Sequence, residues 1–206
     1  GLQTLYNAAK NGEKCIYMTF EENEDKLRQH MEDFGWDSNK LEKDGKLVIK
    51  KYDIYSITRS VEALLEKAKG ELLIDVTPVL FPDGFVPDRV VVDSLTAIAS
   101  AFYGREEAYR IYIEQLFKMM EGIGATSFLI TESTQIPVKI TESGVEEFLA
   151  DGVIILYNIK SGNVRESAIE VLKMRGTSFQ KKIVAMKIES GKGITVYPEQ
   201  EVFGGA

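Results

Sequence analysis

Arg89-Val-Val-Val-Asp93 is the segment that most restricts what this chain can become. Val90–Val92 is an apolar run bounded by a base and an acid, too short for a buried helix and suited to a strand. A strand with no polar face needs cover on both sides, the situation of an interior strand in a sheet carrying helices on each face. The surrounding sequence supplies partners of both kinds. Residues 1–10 read as an amphipathic helix and Lys14–Phe20 as a buried strand. A helix from about Asn23 to Phe34 has acids in its first turn and Gly35 at its stop, as dipole and C-cap preferences favour. Lys46–Lys50 reads as a short strand, and Val61, Leu64, Leu65 and Ala68 recur at helical spacing.

Residues 71–88 hold three of the five prolines and read as a long surface excursion with room for a hairpin. Tyr109, Tyr112, Ile113, Leu116, Phe117 and Met120 form the stripe of a long helix, and Gly124-Ala125 turns into a strand over Thr126–Thr131. This alternation defines an α/β chain with a mostly parallel sheet. From Gly152 onward the pattern becomes short strands joined by turns at Ser161-Gly-Asn163 and Ser190-Gly-Lys-Gly193. That part is expected to be an antiparallel extension of the parallel core, so residues 1–206 are expected to form one domain.

Charge narrows the partners. Lys and Arg number 25 against 32 Asp and Glu, a net −7. Such a balance favours solubility and argues against a general nucleic-acid coat. The single Cys15 lies in the apolar run Cys15-Ile-Tyr-Met, so a buried reduced thiol is expected rather than a bridge or a metal ligand. The apolar runs are too short to cross a bilayer and no signal peptide opens the chain, which makes membrane insertion unexpected and a cytoplasmic location the expectation.

Three groups of residues have chemical potential. Glu21 and Glu22 close a strand, which places two acids at the carboxyl edge where open α/β sheets bind ligands. Such a carboxylate can orient and deprotonate a water attacking a γ-phosphate. Glu22, Glu24 and Asp25 equally suit the start of a solvated helix. Asp93, at the end of its apolar strand, fits a magnesium ligand acting through water, because magnesium keeps several waters and uses few protein carboxylates. Apolar strands ending in Asp are also common without a metal, and Ser94 suits a helix cap. Lys173 and Arg175, two apart on an expected strand, share one face. They could meet a phosphate, or simply face solvent. His30 sits on a polar helix face and reads as a surface residue. Trp36 reads as a packing anchor, and the aromatic and Met stripe at 109–120 as core.

Eight segments, in the family's order and near its spacing, resemble the KaiC-like branch of the RecA-superfamily ATPases. They are Leu5-Tyr-Asn7, Tyr17-Met-Thr-Phe-Glu-Glu22, Phe34-Gly-Trp-Asp37, Gly45-Lys-Leu47, Arg89–Ser94, Ile123-Gly-Ala-Thr126, Gly144-Val-Glu-Glu-Phe148 and Val171-Leu-Lys-Met-Arg-Gly-Thr177. The resemblance implies a RecA-like fold and a hexameric ring with Mg-ATP at the subunit interfaces. By it, Glu21 and Glu22 match the family's catalytic glutamates and Asp93 its Walker B acid. Lys173, Met174, Arg175 and Thr177 match the segment that a neighbouring subunit presents to the nucleotide. Phe179 stands where clock-type members often carry histidine, and one ATPase domain does not carry a two-domain autophosphorylation mechanism.

The P-loop pattern G-x-x-x-x-G-K-S/T does not occur in these 206 residues. The resemblance places its lysine about four residues ahead of Gly1 and implies roughly forty further residues upstream. It also puts the family's first strand between strands that would otherwise lie apart, leaving two unpaired edges and an apolar slot. The chain is therefore expected to be an N-terminally incomplete ATPase domain, without ordinary P-loop affinity for ATP on its own. The expected activity of the intact protein is ATP hydrolysis coupled to an unidentified protein partner. One alternative is a nucleotide-sensing assembly scaffold with little hydrolysis. Another is a recombinase paralogue acting on DNA, which the acidic stretch Glu132–Glu147 disfavours.

Overall fold

In the computed structural model the described residues are 1–54, 57, 81–132 and 144–202. The apolar spacing at Val61–Ala68 and most of the excursion at 71–88 lie outside them. Two compact units follow one another, Gly1–Phe148 and Leu149–Ala206.

In the first unit, helix α1 (Leu2–Lys10) leads into strand β1 (Cys15–Thr19), followed by helices α2 (Glu24–Asp33) and α3 (Ser38–Lys43) and strand β2 (Leu47–Lys51). Strand β3 (Arg89–Asp93), helices α4 (Leu95–Ser100) and α5 (Glu106–Gly122), strand β4 (Thr126–Ile130) and helix α6 (Val145–Leu149) complete it. The four strands form one sheet in the order β2-β1-β3-β4, and each neighbouring pair is parallel.

The slot expected within this sheet is not present among the described strands. β1 pairs residue for residue with both β2 and β3, and β3 with β4. The physical reason lies in Ile16–Met18 and Val90–Val92, which are fully buried or nearly so. Lying side by side, the two runs pair their backbone groups at normal sheet spacing, which leaves no unpaired edge between them.

Local sequence explains the elements. Asn23 caps α2, its side chain accepting from the Asp25 amide, and Gly35 follows the helix at φ +75°. There a residue with a Cβ is strained, so Gly is the natural stop. Arg28 forks onto Glu42 of α3 at 2.9 and 3.0 Å, tying the two helices. One sheet face, through Cys15, Tyr17, Leu47, Ile49 and Val91, joins Leu5, Ala8 and Ala9 of α1, Leu27 and Met31 of α2 and Leu41 of α3 in a single apolar cluster. Trp36 belongs to it and stacks between Phe34 and Tyr6, the packing anchor its sequence context suggested. The long stripe is realised in α5, where Tyr109, Tyr112, Ile113, Leu116 and Met120 are buried while Phe117 is half-buried. His30 is half-exposed in the last turn of α2.

Cys15 is wholly buried, and burial, helped by the nearby Glu13 carboxylate, pushes its thiol up to about 11. Thiolate is the reactive species, and its population at pH 8 falls about a hundredfold for two pKa units. Cys15 should therefore resist iodoacetamide in the native protein and react on unfolding, a difference readable by mass spectrometry with and without denaturant. Rapid native labelling would contradict the burial.

The second unit is an antiparallel sheet of β5 (Gly152–Ser161), β6 (Val164–Met174), β7 (Val184–Glu189) and β8 (Gly193–Glu201) in simple sequential order. The antiparallel extension is as expected, but three of its strands are long, not short: β5 has 10 residues, β6 has 11 and β8 has 9. Between β5 and β6 the turn is only Gly162-Asn163, with Gly162 at φ +57°, as a tight two-residue hairpin demands. A register shift at Val153/Ile154 leaves Leu172 as the extra residue of β6, 41% exposed.

Candidate functional site

The parallel register brings four strand ends to one edge. Thr19 of β1 lies opposite Lys51 of β2 and Asp93 of β3, and Asp93 lies opposite Ile130 of β4. The acids that sequence spacing singled out, Glu21, Glu22 and Asp93, thus emerge together at the carboxyl edge of adjacent strands, where such sheets place their ligands.

Backbone and side chains then fix the Glu21-Glu22 turn. The ladder continues one residue beyond β1, with the Phe20 amide donating to the Asp93 carbonyl at 2.8 Å. Thr19 is completely buried, and its Oγ1 accepts from the amides of Glu21 and Glu22 at 3.3 and 3.0 Å. Its hydroxyl donates to the Glu22 carbonyl at 3.2 Å. A short side chain that satisfies three backbone groups locks a tight turn at small entropic cost. From β2, the Lys51 ammonium donates to the Glu21 carbonyl at 2.9 Å.

The two glutamates are not equivalent. Glu21 is exposed, and its Oε1 accepts a hydrogen bond from Ser94 Oγ at 2.7 Å. Glu22 turns to Lys26 at 2.8 Å, one helical turn along α2. That ammonium holds the Glu22 carboxyl below its usual range, with burial acting in the opposite direction. Glu21 is therefore bonded at the Asp93–Ser94 strand end, whereas Glu22, just ahead of α2, is occupied by Lys26 of that helix.

Ser94 fulfils the capping role expected of it. Its Oγ accepts from the Ala97 amide at 3.1 Å at the start of α4, and the same hydroxyl donates to Glu21. Only 1% of Ser94 is exposed. The Asp93–Ser94 peptide is cis. Asp93 itself is half-buried, and its Oδ2 accepts from the Tyr17 hydroxyl at 2.5 Å. Burial first, and then that bond to Asp93, raises the Tyr17 phenol well above its ordinary range, so it remains a proton donor at any working pH. Gly1, at the amino end of α1, packs against Tyr17 and Val91: a Cβ there would meet Val91 Cγ1 at 3.0 Å and Tyr17 Cε2 at 3.1 Å.

These oxygens suit a hydrated magnesium better than an enclosed cation. Asp93 contributes one carboxylate, whose Oδ2 accepts from Tyr17, and Glu21 is bonded to the next residue along the chain, Ser94. Among the described residues there is no cluster of three or more His, Cys, Asp or Glu that could hold a metal. Magnesium bound through one or two carboxylates, water and phosphate oxygens requires no such cluster.

Lys173, Met174, Arg175 and Thr177 lie in the second unit. Lys173 and Met174 end β6, but Arg175 is in the following turn, so the expectation of one strand face for Lys173 and Arg175 does not hold. The Arg175 amide still bonds the Asp151 carbonyl at 2.7 Å, and the chain turns at Gly176, which takes φ +72°. Arg175 Nη1 donates to the Leu149 carbonyl at 3.2 Å and to Asp151 Oδ1 at 3.3 Å, a half-exposed arrangement. Thr177 is exposed.

Sequence reasoning missed Thr19 and Tyr17 as parts of the site. A signal was available for both: Tyr17 and Thr19 alternate on the strand face that runs into the glutamates, and a buried tyrosine needs a partner for its hydroxyl.

A parallel sheet with carboxylates gathered at its carboxyl edge, followed by an antiparallel sheet, defines an α/β protein of the RecA-like type. The family model described as "ATPase: KaiC" matches residues 1–201, and the chain belongs to that family. It is 30% identical over 210 residues to circadian clock protein KaiC3 of Synechocystis sp., covering 95% of this chain and 38% of that protein. With the circadian clock oscillator protein KaiC of Synechococcus elongatus it shares 28% identity over 211 residues, covering 96% of this chain and 37% of that protein. The chain thus spans well under half the length of these curated relatives. A crystal structure of a KaiC-like protein from the hyperthermophilic archaeon Pyrococcus horikoshii superposes with a TM-score of 0.73 at 30% identity, covering 95% of this chain and 81% of that one. Among the described residues no helix is long and apolar enough to cross a membrane.

Proposed function

We propose that this domain, as part of the intact protein, binds Mg-ATP at the carboxyl edge of its parallel sheet and hydrolyses it, within a ring of identical subunits that couples turnover to the state of a protein partner. The observation that supports this reading best is the linkage of Glu21 to the Asp93 strand end through Ser94, at 2.7 Å. It sets a water-orienting carboxylate beside a metal-binding one without any covalent chemistry, and phosphoryl transfer needs positioning of this kind.

In this reading Glu21 orients and deprotonates the attacking water, because it is the glutamate bonded at the Asp93–Ser94 strand end. Glu22 supports the turn through Lys26. Asp93 holds the metal through water in the Walker B role, and Thr19 and Lys51 keep the Glu21 backbone in place. Magnesium, when bound, supplies neutralisation of the phosphate charge. Lys173, Met174, Arg175 and Thr177 serve a neighbour's nucleotide, and Arg175 stabilises charge on the transferring phosphate. The family match to an ATPase model and the acidic edge support this assignment together.

Asp93→Asn tests the reading. It keeps the shape and the Tyr17 contact but removes the charge, so Mg-dependent ATP turnover of the intact protein should fall about a hundredfold, on the several-kcal/mol scale of metal-assisted charge stabilisation. Turnover with unchanged magnesium dependence would place the metal elsewhere.

A further inference from the structure

We propose that Tyr17 is a positioning residue for the metal side of this site: its hydroxyl holds the Asp93 carboxylate in one orientation, so that a single oxygen is presented to a hydrated divalent cation. The inference rests on the proposed reading of Asp93 as the metal-holding acid.

The geometry comes from the register. Thr19 lies directly opposite Asp93, and Tyr17, two positions earlier on the same face of β1, reaches it diagonally. Aromatic side chains span such diagonals in sheets. The Tyr17 ring is 4% exposed within the apolar cluster that includes Leu5, Ala8 and Val91. A phenyl ring would serve that packing equally well. The hydroxyl is therefore not explained by the core, and its partner is the one carboxylate that the site needs in a defined pose.

A hydrogen bond to an ionised acceptor is shorter and stronger than a neutral one, and the tyrosine ring has few rotamers to lose. Without it, the Asp93 carboxylate could turn about its own axis and share its charge between two directions. Partners of this kind orient metal ligands generally, and removing them typically costs about 10- to 100-fold in metal affinity or activity.

The test uses the intact protein with saturating ADP and Mn2+ as the probe, counting protein-bound ion by electron paramagnetic resonance. Tyr17→Phe should raise the Mn2+ concentration for half-saturation about tenfold while metal-free ADP binding and the cooperative melt stay near those of the parent. In an Asp93→Asn background the same exchange should add nothing, because the tyrosine acts through that carboxylate. A folded Tyr17→Phe protein with unchanged half-saturation, or one whose effect persists in Asp93→Asn, overturns the inference while leaving the metal reading intact. Asp93→Asn that itself leaves Mn2+ binding unmoved overturns the metal reading, and this inference falls with it. Tyr17→Met is the second variant without a hydroxyl. Loss of the native fold in both would assign Tyr17 to packing alone and overturn the inference.

Discussion

Exchanging Glu21 and Glu22 together for Gln is expected to abolish most ATP turnover while leaving nucleotide binding and subunit assembly in place. Gln keeps the size and hydrogen-bonding capacity of Glu but cannot accept the proton of an attacking water, and a general base of this kind is worth about a hundredfold or more. The structure makes the single variants unequal. Glu21→Gln alone should account for nearly the whole loss, because Glu21 is the carboxylate bonded to Ser94 at 2.7 Å. Glu22→Gln alone removes a partly exposed pair with Lys26, whose side chain is 62% exposed, an interaction of modest energetic weight. Phosphate release assays on the three variants, beside a fluorescent-nucleotide binding assay, check both statements. Full activity in the double variant would return the pair to its simpler role as the start of α2. Equal losses in the two singles would refute the division of labour.

The second large effect concerns Arg175, whose proposed action is on a neighbour's ATP. Arginine fingers contribute about three orders of magnitude or more to phosphoryl transfer, so Arg175→Ala should be nearly inactive in the intact assembled protein. The decisive measurement is mixing. Arg175→Ala subunits combined with Glu21→Gln/Glu22→Gln subunits should regain part of the activity, because some interfaces then pair an intact glutamate site with an intact arginine. Arg175 is anchored within its own unit by Asp151 and the Leu149 carbonyl. These are long, half-exposed bonds at 3.2 and 3.3 Å, of the kind that a phosphate could outcompete. No recovery despite proven subunit exchange would mean that Arg175 acts in cis or shapes only the β6 turn. Asp151→Ala separates the last two: a structural arginine should lose stability with it, and a finger should keep its activity.

The outer limits of the elements were readable because they depend on short-range chemistry. Asn23 and Gly35 bracket α2 as a cap and a stop should, and Ser94 caps α4. The stripe from Tyr109 to Met120 became the buried face of α5, since a 3.6-residue period has one way to meet a core. The strand to which Arg175 was assigned ended one residue early, at the turn where Gly176 takes φ +72°.

The sequence by itself determined the α/β class, the parallel-then-antiparallel division, and the positions of Glu21, Glu22 and Asp93 at strand ends, since apolar period and terminal acids are local properties of the chain. Packing in three dimensions was needed to set β1 directly against β3, which brings the Glu21 turn and Asp93 to one edge. It also decided which glutamate is bonded at the Asp93–Ser94 strand end, and that a buried tyrosine and a buried threonine hold the group in place. Those are matters of strand register and side-chain reach between residues more than seventy positions apart, as in the Tyr17–Asp93 and Ser94–Glu21 bonds, with separations of 76 and 73. Periodicity along a chain specifies which face a residue occupies; only the packed sheet specifies which residue stands opposite.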